Sequence, residues 1–192
     1  MKKKLQIYLI FAIAVVLGTV SCSSKKTLQK ETGSTDIILP FAGKEYQTDK
    51  ENFRAKHSGK SPDLATSKKI ALQNAKSELA GSIQSTIKRV TDQYTNQRSI
   101  GDKQEYENKF EELAREVVNQ NISDIKISGE MVMKEKEGPY QYWVVVEVTK
   151  ESVLNGLTSS ISKNAKLKLD YDKKKFEEIF DTEMKKLENE QK

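Results

Sequence analysis

Tyr140-Gln141-Tyr142-Trp143-Val144-Val145-Val146-Glu147-Val148 is the stretch whose reading decides the fold. Tyr140, Tyr142, Val144, Val146 and Val148 fall on one face of an extended chain, and Gln141, Trp143, Val145 and Glu147 fall on the other. That is a period of two, which belongs to a strand and not to a helix. Glu137-Gly138-Pro139 turns the chain just before it. Earlier still, Ile125 and Ile127 begin another extended run that Met131 and Met133 continue beyond Gly129, the expected place of a bulge. Together the two runs predict an antiparallel hairpin with one covered face.

On either side the period lengthens. Leu64, Ala71, Leu72, Ala75, Leu79, Ile83, Ile87, Val90 and Tyr94 recur mainly in steps of three and four, the stripe of a long amphipathic helix. Ser61-Pro62-Asp63 reads as its start, with Ser61 as N-cap, Pro62 in the first helical position and Asp63 complementing the helix dipole. The small residues Ala71, Ala75, Ala80 and Gly81 are expected to let a neighbour approach closely. After a break at Asn96 to Gly101, a second helix over about Asp102 to Asn121 should bury Tyr106, Phe110, Leu113, Val117 and Val118. Beyond the hairpin, Val153, Leu154, Leu157 and Ile161 continue a helix that stops at Lys163-Asn164, and Phe176, Ile179, Phe180, Met184 and Leu187 mark a charged terminal helix. Asn52 to His57 alternates as a short strand ended by Gly59. Ile37-Ile38-Leu39, stopped by Pro40, reads as an edge strand or as a segment packed under the domain. The prediction is a single α+β domain over residues 37–192, with long helices packed on a small antiparallel sheet.

The first 21 residues are unlike the rest. Lys2-Lys3-Lys4 precedes an apolar run from Leu5 to Leu17, and no acid is present. Those thirteen residues make about 20 Å of helix, short of the ~30 Å hydrocarbon core of a bilayer. The expectation is a cleavable signal peptide over residues 1–21. The chain carries 33 basic and 28 acidic side chains, a net +5. Without the leader, 30 basic side chains face 28 acidic ones, so charge alone does not mark a nucleic-acid binder, and no nucleic acid is expected as a partner. The lone cysteine, Cys22, excludes a disulfide framework and a multi-cysteine metal site. It stands just where cleavage should fall, after Thr19-Val20-Ser21, and that sequence resembles the lipobox of bacterial lipoproteins, with Thr19 in place of the usual leucine. The resemblance implies that the Cys22 thiol is joined to diacylglycerol, so that acyl chains anchor the protein in a membrane. Ser23 to Asp36 is polar and reads as a flexible tether over residues 22–36, reaching about 50 Å at most.

Few residues invite catalysis. Ser58-Gly59-Lys60-Ser61 between a strand and a helix suggests a phosphate loop, but that motif needs a glycine where Arg54 stands. A strand-to-helix turn is the expected reading, with Lys60 and Ser61 retained as candidates for weak anion binding at the helix start. His57, the only histidine, has no orienting acid marked out in the sequence. Asp170, Asp172, Glu177, Glu178 and Asp181 could crowd a cation, but Lys173-Lys174-Lys175 sits among them. No metal or cofactor is expected. Trp143 is expected to pack beneath a helix, with exposure as a contact point the alternative.

Several pieces then combine. Lys50-Glu51-Asn52-Phe53-Arg54-Ala55 leads through Ser58-Gly59-Lys60-Ser61 into Ala65, Ala71 and Ala75-Lys76-Ser77-Glu78-Leu79-Ala80, followed by Tyr142-Trp143-Val144-Val145-Val146. This resembles the twenty-kilodalton (Lpp-twenty-like) lipoprotein family of the Gram-negative outer membrane, over about Glu45 to Val148. The resemblance implies an α+β domain tethered to the outer membrane and no enzyme. The expected function is a lipid-anchored, non-enzymatic assembly or interaction module with an envelope protein as partner. Ser23-Ser24-Lys25-Lys26 lacks an acidic run after the anchor, so the periplasmic face is expected. The alternative is an envelope enzyme, or a binder of a cell-wall or anionic ligand through the Ser58 to Ser61 loop.

Overall fold

In the computed structural model, residues 38–98 and 100–190 are described; the leader, Cys22 and the tether lie outside them. In chain order they form strand β1 (Asn52–Ser61), helices α1 (Leu64–Asn96) and α2 (Lys103–Ser123), strands β2 (Lys126–Lys134) and β3 (Tyr140–Thr149), and helices α3 (Lys150–Lys163), α4 (Ala165–Asp170) and α5 (Lys173–Glu190). A short 3-10 turn, Lys44–Tyr46, precedes β1. The fold is α+β, with five helices on a three-stranded antiparallel sheet of order β1-β3-β2.

The hairpin forms as its alternation requires. Tyr142, Val144, Val146 and Val148 are buried beneath the helices, with Phe53 and Ala55 of β1 beside Val148 and Val146. The register of β2 on β3 shifts between Ile127 and Gly129, so Ser128 is the extra residue of the bulge foreseen at Gly129. Helix α1 has 33 residues, about 50 Å of rod. Ala71, Ala75, Leu79, Ile83, Ile87, Val90 and Tyr94 make its buried stripe, whereas Leu64 at its first turn is exposed. Its early turns lie on β1 and β3, and its later turns carry α2 and α5. Tyr94, Phe110, Phe176 and Phe180 interlock at that far end; the Phe110 and Phe176 ring centroids are 5.3 Å apart.

Several local expectations need correction. β1 does not end at Gly59 but runs on to Ser61, pairing Ser58, Gly59, Lys60 and Ser61 with Trp143, Tyr142, Gln141 and Tyr140. The helix start moves accordingly. Asp63 is the N-cap and accepts a hydrogen bond from the Thr66 amide at 2.7 Å, while Pro62 stays outside the helix. The reason is packing. A Cβ on Gly59 would lie 2.3 Å from the Ser67 carbonyl oxygen and 2.6 Å from the Ala71 nitrogen, so only glycine lets β1 continue beneath α1. Gly81, by contrast, faces open space and mediates no close approach. Ile38 and Leu39 are exposed and form no strand; Phe41 packs instead. Its ring lies over Gly129, on the sheet face away from the helices, edge-on to Tyr46 at 4.8 Å.

Trp143 is on that same outer face, between Ser58 and Met131, half-buried, not beneath a helix. The face alternates strictly with the Val144–Val146 face, so a residue at an odd position of β3 has no route to the helix layer.

The Gly59 contact is directly testable. Gly59→Ala should destabilise the fold by about 2–3 kcal/mol because backbone, not a flexible side chain, blocks the added methyl. Chemical denaturation of variant and parent measures it, and Gly81→Ala, where space is open, should be neutral or slightly stabilising.

Candidate functional site

The described residues divide into side chains that tie elements together and a surface that remains open. The strongest tie is Glu183 of α5, which is 2% exposed. Its Oε1 accepts from Gln93 Nε2 at 2.6 Å and from Lys186 Nζ at 2.5 Å, and its Oε2 accepts from Arg89 Nε at 3.2 Å. Burial pushes the carboxyl pKa up, but the bonds from Lys186 and Gln93 and the charges of Lys186 and Arg89 outweigh it, leaving the value below the ordinary range. A second tie joins the segment before β1 to the sheet. Arg54 Nε donates to Glu147 at 2.9 Å, its Nη1 donates to Asp49 at 2.5 Å and to the Gln47 carbonyl at 2.8 Å, and Lys126 completes the group on Glu147. The Tyr94 hydroxyl makes a third, donating to the Asp170 carbonyl at 2.6 Å and accepting from the Asp172 amide at 2.7 Å. It clamps the link between α4 and α5 to the end of α1.

The residues expected to bind an anion, Lys60 and Ser61, lie on a strand and each has a partner in the fold. Ser58 to Ser61 is strand, not loop. The Lys60 ammonium pairs with Glu135 at 2.5 Å, and the Ser61 hydroxyl accepts from the Asp63 amide at 3.2 Å. His57 is exposed, its Nδ1 facing the Ser58 amide at 3.0 Å, with Asn74, Ser77 and Glu78 around it. The acidic residues near the C-terminus are dispersed. Asp172 caps α5 and faces Arg98, Glu177 pairs with Lys173, and Asp181 pairs with Lys150. Among the described residues no group of three or more His, Cys, Asp or Glu side chains is placed to hold a metal ion, and no helix is long and apolar enough to cross a membrane.

Two concavities were not foreseen. A groove of about 380 Å³ between α1 and α2 is lined by Lys88, Asp92, Glu107, Glu111 and Arg115 over a floor of Ile87 and Phe110. Its charges are of both signs, which suits a solvated seam between helices. A smaller hollow beside Tyr106, of about 180 Å³, is rimmed by Lys109 and Lys166, both paired with Glu105. The two ammonium groups pull the Glu105 pKa down to about 2. The Tyr106 hydroxyl is buried there without a partner, and burial raises its pKa.

The open surface is β2. It pairs with β3 alone among the described residues, and Ile127, Met131, Val132 and Met133 are each about two-fifths or more exposed. On the outer face Met131 and Met133 continue the half-buried Trp143, whose Nε1 has no hydrogen-bond partner. A stretch of sheet with one edge unpaired and apolar side chains partly exposed on both faces is a place for association.

No protein-family model matches the chain, and no curated protein or solved structure is significantly similar to it.

Glu183 offers a test of which polar group holds the helix layer. Because its folded-state pKa lies below the unfolded value, its contribution is complete above the ordinary carboxylate range and is lost as pH falls through the folded value. Glu183→Gln should cost about 2 kcal/mol at neutral pH. In acid titrations of stability the difference between parent and variant should shrink as pH falls below about 4.3.

Proposed function

We propose that this protein is a lipid-anchored component of a bacterial envelope, held in the outer membrane through acyl chains on Cys22, that serves as a non-enzymatic interaction module. The observation that carries the reading is positional: the only cysteine in 192 residues follows a lysine-led apolar run too short to span a bilayer, after small and β-branched residues. With buried lipid methylenes worth about 0.8 kcal/mol each, several acyl chains on one residue give stable attachment. The resemblance of residues 45–148 to the twenty-kilodalton lipoprotein family supports the same address. For the mode of action, the support is the distribution of side chains. Arg54, Glu147, Arg89 and Glu183 join secondary-structure elements, and the uncommitted surface is an apolar strand edge. The periplasmic face is the proposed side, and an envelope protein the proposed partner.

Cys22→Ser decides the anchor. The parent chain should incorporate a fatty-acid probe and show acyl mass on an N-terminal Cys22, and the variant should show neither. Label retained on the variant would remove the anchor and the proposed address with it.

A further inference from the structure

The segment of β2 after its bulge reads Glu130-Met131-Val132-Met133-Lys134. Read from its centre, it is symmetric in shape and opposite in charge: Val132 in the middle, a methionine on each side, then an acid at one end and a base at the other. We propose that this edge pairs antiparallel with the same edge of a second copy of the chain, about a twofold axis through Val132 perpendicular to the sheet. The inference rests on the strand edge alone and is independent of the lipid anchor.

The register follows from the sequence and the pleat. Two antiparallel neighbours related by a twofold axis keep their faces, so each residue must oppose one that points to the same side. Centring on Val132 puts Val132 against Val132, Met131 against Met133 and Glu130 against Lys134, twice over. All of these pairs match in face: Met131 and Met133 lie beside Trp143 and Gln141 on the outer face, and Glu130, Val132 and Lys134 lie beside Val144, Tyr142 and Tyr140 on the helix side. Centring on Glu130 would instead place Glu130 against itself and Lys126 against Lys134, and the bulge at Ser128 would throw those outer pairs onto opposite faces. Centring on Met131 sets Glu130 against Val132 and leaves no charge pair. Centring on Met133 sets Val132 against Lys134 and Met131 against Glu135, so only the Val132 axis satisfies charge, face and apolar matching together.

Space permits it. Helix α1 covers β1 and β3, and it reaches β2 through the Lys68–Glu130 pair at 3.0 Å. In the joined six-stranded sheet the two copies of α1 would lie about four strand spacings apart, ~19 Å, well beyond the 8–10 Å of helices in contact. The pairing covers Met131, Val132 and Met133, now 42%, 46% and 40% exposed. Lys134, whose ammonium stands 4.7 Å over the Tyr140 ring, and Glu130, at the far end of the segment, would each gain an opposite charge from the second copy.

The test is a charge-exchange experiment on the full-length chain, purified in excess density-matched detergent and followed by sedimentation equilibrium. The parent should sediment as a dimer at the highest soluble concentration. Glu130→Lys and Lys134→Glu each turn two attractive cross-strand pairs into repulsive ones and should weaken self-association about tenfold or more. An equimolar mixture of the two variants should recover the dimer, because every 130–134 pair across the axis is again opposite in sign; the doubly exchanged chain should recover it as well. Unchanged helix content by circular dichroism separates lost association from lost folding. A monomeric parent, single variants as dimeric as the parent, or a mixture that stays monomeric would each overturn the proposal.

Discussion

Where β1 passes beneath α1 at Gly59, no side chain separates the two backbones, and the rest of the architecture is arranged around that contact. The Ser67 hydroxyl, buried in the first turns of α1, donates to the Gly59 carbonyl at 2.8 Å and accepts from the Tyr142 amide at 3.0 Å. One side chain therefore locks a helix to two strands at the residue where they pair. The helix direction is set over this short stretch, and its length does the remainder. A rod of about 50 Å extends far past a ten-residue strand, leaving its later turns to be covered by something else. Helices α2 and α5 supply that cover, with the aromatic cluster of Tyr94, Tyr106, Phe110 and Phe176 between them.

The ion pairs of the molecule are unequal in consequence. Those on exposed helix faces, such as Arg115 with Glu111, are screened by water and contribute little. Glu183 and the Arg54–Glu147 pair differ because burial removes water from at least one partner. There the cost of desolvation makes every remaining bond necessary, and a buried carboxylate that accepts from Arg89 and Gln93 of α1 fixes the azimuth of α5 on α1 in a way that apolar contact alone would not.

The parts legible in the sequence were those written in periodicity. The hairpin, its bulge, the two long helices and the terminal helix all carry alternation or three-four spacing strong enough to place them, and Asn96 to Gly101 marks the break between α1 and α2. The end of β1 was not legible, because Ser58-Gly59-Lys60-Ser61 has no apolar alternation and its strand state comes from partners about eighty residues away. For the same reason Lys60 and Ser61 looked like a loop site. The placement of Trp143 was recoverable: its parity opposite Val144 already assigned it to the face away from the helices. Glu183 and Ser67 were invisible as hubs, since a polar residue on a charged or small-residue helix face gives no sign of being buried until its neighbours are known.

Edge strands are commonly blunted by charge, and β2 carries Lys126, Glu130 and Lys134 along nine residues. Charges of a single sign would repel every incoming strand. Mixed charges at fixed spacing act differently: they penalise most registers and leave the complementary one unopposed, which converts a defence against aggregation into a selective contact. Such a contact is small, five residues on each side, and in dilute solution its population would be set by concentration alone. Under the proposed attachment through Cys22, both copies would be confined to one surface, and the effective concentration of one edge for the other would rise without any new interaction. Attachment and edge pairing would then reinforce each other, with the membrane supplying proximity and the Glu130–Lys134 spacing supplying register.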